Sequence, residues 1–299
     1  MKLYLAAAYS NEMGVHQKIY RRLTPNGKLA LDYCQDRLES YHYVTDNTVR
    51  AMRREPGRKV FLDSGAFSAF TQGVDIDVEV YAAFCRDHED IIEVPSVLDV
   101  VGDAVGTWHN QKKLEDLGVN CLPCFHFGEP EEALKYYVEN YEHMTIGGMV
   151  PISTPNLIRW LDRIWPEYLM NPDGSAKLKV HGFGLTSQDL MERYPWYSVD
   201  SSSWIQVSSF GSVFIPDYGT LAVSKQSPSR KNPNVHYDTL PSDAHRRRMD
   251  EIFEFYGFTY ELLSEHYSER RAFCAISYAL LADRITKTRQ NRTYQPYLC

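Results

Sequence analysis

The residues able to do chemistry fall at recurring places in this 299-residue chain. Asp63 closes the apolar run Val60–Leu62 and is followed at once by Ser64 and Gly65. Asp99, His126, the pair Gly147–Gly148, His181 and Asp200 stand at comparable points further along, each at or just past a short apolar segment. Any one acid in such a place is usually a helix cap or turn residue. Three acids and two histidines at strand ends describe a shared site. Two carboxylates facing one substrate suit glycosidic chemistry, in which one attacks the anomeric carbon and the other manages the leaving-group proton. Glycines opposite them let backbone approach a flat ligand. Phe67, Phe125, Phe183 and Tyr197 are candidates to sandwich a base, with core packing as the default for each.

Positioning these residues requires a repeating scaffold. Strand-like and helix-like stretches alternate through the first two hundred residues. Strands are expected at Leu3–Ala8, Tyr41–Val44, Val60–Leu62, Ile91–Asp99, Leu122–Phe127, Met144–Met149, Lys179–Phe183 and Tyr197–Val199. Helices fall mostly between them, as at Val78–His88, Asp103–Leu117 and Pro155–Ile164. Such alternation implies a parallel sheet. Eight units, with no glycine-rich phosphate loop after the first strand, point to a (β/α)8 barrel, in which working residues lie at the C-terminal strand ends. After Asp200 the pattern changes. Ser201–Ser212 is polar, Phe214–Val223 reads as a hairpin, Lys225–Asn234 as a loop, and Asp243–Tyr256 and Ser268–Lys287 as helices. The expected division is a catalytic barrel over 1–222 and a mainly helical extension over 223–299, packed on it.

Composition bounds the rest. Hydrophobic residues are 43% and charged residues 24%, ordinary for a globular protein with a sizeable core. No apolar run reaches the roughly 20 residues of a membrane span, and the opening MKLYLAAAYSNE reads as a strand rather than a signal peptide. Six cysteines form no disulfide framework, which fits a reducing, cytoplasmic setting. Cys121 and Cys124 make a lone C-x-x-C inside a strand-like run, without the second pair of a zinc ribbon. The net charge of -7 argues against a globally basic nucleic-acid binder, but from Lys225 onward 12 Lys and Arg oppose 9 Asp and Glu. That basic tail, with Arg246, Arg247 and Arg248, suits phosphate contact and equally suits a solvated helix face.

Four motifs, in order, resemble the tRNA-guanine transglycosylase superfamily. DSGAFS at 63–68 is similar to that family's DSGGFQ element, and IGGMV at 146–150 to its GGLAV base-binding loop. GFGLTSQDL at 182–190 resembles GVGTPEDL. SVDSSSW at 198–204 stands where the family carries its FDCVxPTR nucleophile segment. The resemblance implies a barrel enzyme with Asp200 as nucleophile and Asp63 as general acid/base. It implies that Asp99 reads the Watson–Crick edge of a guanine-like base, that Gly147, Gly148 and Met149 line the pocket, and that Ser64 supports it. His126 falls where the family has glutamine, and His181 has no assigned counterpart. The family's C-terminal zinc signature, C-x-C-x-x-C with a later His, is absent; only Cys274, Cys299 and His266 remain there. No ATP or redox cofactor is expected, and zinc is the one candidate left, without its family motif. These departures resemble the phage and bacterial DNA-guanine transglycosylases, which insert 7-deazaguanines such as preQ0 into DNA. Exchange in tRNA, and a silent barrel that binds nucleic acid or a partner, are the alternatives.

Overall fold

The computed structural model describes residues 1–10, 17–33, 36–55, 57–185 and 187–290. They group into two compact units. Residues 1–10, 36–201 and 287–290 make the first, and residues 17–33 and 202–286 the second. The hairpin and the stretch 17–33, read from sequence within the barrel, thus belong to the second unit.

The first unit begins with β1 (Lys2–Ala6). Helices α1 (Gln17–Arg22) and α2 (Pro25–Tyr33) belong to the second unit. The chain then returns as β2 (Arg37–Ser40), α3 (Asp46–Arg53), β3 (Val60–Asp63), α4 (Ala66–Thr71), α5 (Val78–Asp87) and β4 (Ile92–Pro95). It continues through α6 (Ala104–Asp116), β5 (Cys124–His126), α7 (Glu131–Asn140), β6 (His143–Gly147), α8 (Thr154–Ile164), β7 (Lys179–Gly182), α9 (Gln188–Arg193) and β8 (Ser198–Ser201). The expected second strand at Tyr41–Val44 is corrected. The strand is Arg37–Ser40, and Tyr41–Tyr43 form a 3-10 turn. Buried Arg37 and Glu39 hid it, because charged side chains inside a strand break the apolar run that sequence reading follows.

Local signals explain the helix starts. Thr45 caps α3 in a reciprocal capping box with Thr48. Asp77 accepts from Val80 N at 3.0 Å, and Asp103 from Gly106 N at 3.0 Å. Each satisfies an otherwise orphaned donor where the sequence places a helix.

The eight strands are all parallel, in the order β4-β3-β2-β1-β8-β7-β6-β5. The sheet is strongly curled. Phe61 on β3 stacks on His181 of β7 with centroids 4.5 Å apart. Four strand spacings separate them along the sheet, about 19 Å if it were flat. Tyr4, Leu38, Phe61 and Leu122 form one buried cluster with Val94 and Phe183 inside the curl. Beyond β4, one parallel bridge joins Ser96 to Leu122. Val97 N donates to Leu122 O and Leu122 N to Pro95 O, both at 2.9 Å.

The second unit adds α10 (Ser203–Ser209), the antiparallel hairpin β9 (Ser212–Ile215) and β10 (Gly219–Ala222), helices α11 (Asp243–Tyr256) and α12 (Tyr260–Glu265), and α13 (Tyr267–Gln290) up to Thr286. Gly27 of α2 is required by close packing, since a Cβ there would lie 2.2 Å from Tyr256 O. The polar stretch after Asp200 forms a helix over Ser203–Ser209, with Trp204 and Ser208 turned inward.

Candidate active site

The C-terminal ends of the strands gather the acids. Asp63 is the last residue of β3 and is half-buried. Burial, and then the charges of Asp99 and Asp200, push its carboxyl up to about 7, against one donated bond from Gly65 N at 3.1 Å. Both acids singled out with it in the sequence are therefore close enough to act on it. Gly65 permits the turn. Its φ is +75°, and a Cβ would meet Ser40 Oγ at 2.5 Å and His42 Cβ at 2.6 Å. Ser64 follows Asp63 fully buried. Its N–H donates to Ser96 Oγ at 3.0 Å, while its own hydroxyl has no protein partner.

Asp200 lies within β8, about nine-tenths buried. Oδ1 accepts from Gly184 N at 2.8 Å, and His181 Nε2 sits 3.3 Å from the same oxygen. His181 is fully buried and held from behind by Ser198 Oγ at 2.9 Å from Nδ1. Phe61 and Phe183 pack on its ring. Gly184 of the Gly182–Leu190 motif thus holds the acid of the next one.

Asp99 lies past β4 and His126 ends β5. His126 Nδ1 meets Glu129 Oε1 at 2.9 Å, and its backbone N donates to Glu129 Oε2 at 3.0 Å. His126 Nε2 lies 3.4 Å from both Asp99 Oδ2 and Cys124 Sγ. Cys124, above all, holds the imidazole well above its usual range, helped by bonds to Asp99 and Glu129 and opposed by burial. Burial, then Asp99, pushes the Cys124 thiol up to about 11. Asp99 Oδ1 is buried with no protein partner. The C-x-x-C is split, since Cys121 Sγ donates to Gln111 Oε1 at 3.4 Å, away from this group.

Gly147 and Gly148 leave the space beside His126 open. A Cβ on Gly147 would lie 3.0 Å from Cys124 Sγ and 3.1 Å from His126 Cδ2, and one on Gly148 3.1 Å from Phe127 N. Met149 is buried just beyond them. Among the four aromatic candidates, Phe183 touches the His181 ring and Phe67 is exposed. Phe125 stacks on Trp160 in the core, and Tyr197 lies at the opposite rim beside Lys179 and His143.

Sequence reading missed three contributors. Glu39 of β2 is fully buried, accepting from Tyr9 N and, at 2.8 Å, from Ser10 Oγ. Glu129 and Gly184 act on predicted residues through bonds invisible in one dimension. Only Glu129 carried a signal, three residues from His126 and just before a helix. In the second unit Arg246 pairs with Asp243, while Arg247 and Arg248 are exposed on α11. No helix among the described residues is long and apolar enough to cross a membrane.

No known family model matches this chain, and no curated protein sequence matches it.

Proposed function

We propose that this protein is a DNA-guanine transglycosylase, exchanging guanine in DNA for a 7-deazaguanine such as preQ0. One observation carries the reading: the unlike environments of Asp63 and Asp200. Asp63 is pushed to about 7, where a carboxyl both gives and takes a proton at neutral pH. Asp200 is aimed by the bond from Gly184 N, with the His181 ring packed 3.3 Å from the same oxygen. An Asp200 oxygen attacks C1′ of the nucleotide as the bond to guanine breaks, and Asp63 gives its proton to the departing base. The incoming base returns a proton to Asp63, and its nitrogen displaces Asp200 from C1′. One glycosidic bond replaces another, so no redox or nucleotide cofactor is consumed.

The curled parallel sheet and the Ser96–Leu122 bridge support closure as a (β/α)8 barrel. In such a barrel the C-terminal strand ends face one ligand. Gly147, Gly148 and Met149 line the base pocket, Ser64 Oγ supplies a buried hydroxyl, and Asp99 Oδ1 is an acceptor for the base edge. Arg247 and Arg248, with Arg246, contact phosphates. The base must leave the helical stack to reach buried carboxylates. The enzyme works in the cytoplasm, that of the host if a phage encodes it.

The test is incorporation of labelled guanine or preQ0 into DNA and tRNA, with Asp200→Asn alongside. Label in DNA that vanishes in the variant is the expected result. Label only in tRNA moves the substrate to the tRNA alternative. No label in either polymer overturns the mechanism and favours a silent nucleic-acid or partner-binding barrel, and equal label with the variant overturns Asp200 as the nucleophile.

A further inference from the structure

We infer that Asp99, Cys124 and His126 form a site for a divalent transition ion of the zinc class, with one coordination position left for water or ligand. This does not depend on the reaction proposed above. The three side chains come from two neighbouring segments, and their ligand atoms all lie within 4.8 Å of one another. The spacing fits. A tetrahedral ion with bonds of about 2.0–2.3 Å holds its ligand atoms roughly 3.3–3.8 Å apart. His126 Nε2 is 3.4 Å from Cys124 Sγ and 3.4 Å from Asp99 Oδ2.

The hydrogen-bond pattern asks for a cation at that point. Glu129 Oε1 accepts from His126 Nδ1 at 2.9 Å. That arrangement turns Nε2 toward a carboxylate oxygen and a sulfur. A proton on Nε2 or on the thiol bridges two of these three atoms, whereas an ion that displaces it binds all three. Carboxylate–histidine pairs such as Glu129–His126 commonly orient metal-bound imidazoles.

Access and room are both present. Cys124 is buried, but the His126 and Asp99 side chains keep 24% and 18% of their surface. Gly147 leaves free the volume that a Cβ would take 3.0 Å from the sulfur. An ion there is reached past the partly exposed His126 and Asp99 side chains. A sulfur, a nitrogen and an oxygen donor suit zinc or cobalt better than magnesium or calcium, which take oxygen ligands.

The test uses the full chain, stripped by chelator and dialysed against Zn²⁺ or Co²⁺. Elemental analysis should find about one ion per chain, and the Co²⁺ form should show thiolate-to-cobalt charge-transfer absorption. Cys124→Ser should abolish that absorption. Glu129→Gln, which touches no ion, should weaken affinity about 10- to 100-fold. A folded wild type that takes up no ion overturns the site, as does a Cys124→Ser/His126→Gln protein that binds as tightly. Where that double variant does not fold, X-ray absorption on zinc-loaded wild type decides. One sulfur with nitrogen and oxygen neighbours supports the site, and a shell without sulfur overturns it.

Discussion

His181 Nε2 lies 3.3 Å from Asp200 Oδ1, inside a ring stack that leaves the imidazole no exposed surface. Gly184 N donates to the same oxygen at 2.8 Å, whereas His181 Nε2 makes no hydrogen bond within the protein. The His181 ring is thus packed beside Asp200 and would position it through that contact. His181→Gln, which removes the ring packed beside Asp200, should lower kcat for base exchange about tenfold, near 1.4 kcal/mol, with KM for the free base little changed. An unchanged kcat would remove His181 from the mechanism.

Asp63 should leave a mark on stability as well as rate. Its folded value of about 7 lies above the roughly 3.9 of an unfolded aspartate. Below pH 4 both states hold the proton and nothing is lost. As pH rises from 4 to 7 the unfolded state releases it first, so folding stability falls, by at most roughly 4 kcal/mol. Denaturant melts of Asp63→Asn across this range should lack that decline and exceed wild-type stability at pH 8.

His143, at the opposite end of the sheet, should show the reverse slope. Burial, then the charges of His181 and Lys179, holds it down at about 4, with Glu93 opposing. The unfolded imidazole takes a proton near 6.5. Stability is therefore present above pH 6.5 and is lost as pH falls toward 4. His143→Phe keeps a ring against Tyr197 and should flatten the acid side of the melt series; an identical slope would refute the assignment.

Gly147→Ala separates space from strain. The new Cβ would press on Cys124 Sγ at 3.0 Å and on His126 Cδ2 at 3.1 Å. The protein should fold, while KM for the incoming base rises at least about tenfold, near 1.4 kcal/mol. Gly65→Ala adds a left-handed φ of +75° to contacts under 3 Å, and should cost stability on the order of 1–3 kcal/mol.

On α11, exposed Arg247 and Arg248 are the phosphate candidates. Their double alanine variant should reduce the salt slope of DNA binding by roughly 2. An unchanged slope would show that they contact no phosphate.

The sequence by itself determined the alternation of strands and helices, because short β-branched runs and Asp, Thr and Gly caps act within a few residues. It also marked Asp63, Asp99, His126 and Asp200 as strand-end groups, since an acid closing an apolar run is a local signal. It could not place β2, whose Arg37 and Glu39 are buried charges that break local patterning. Nor could it draw the boundary that sends residues 17–33 to the second unit, because contacts across the chain set that boundary. Only the tertiary structure decided the pairings between strands: Gly184 with Asp200, Asp99 with His126, and Asp99 and Asp200 with Asp63. The approach of Asp200 to Asp63 depends on the curl of the sheet, which also brings β3 against β7 across four strand spacings. Curvature is a sum over every pair of neighbouring strands, and no single stretch of sequence carries it.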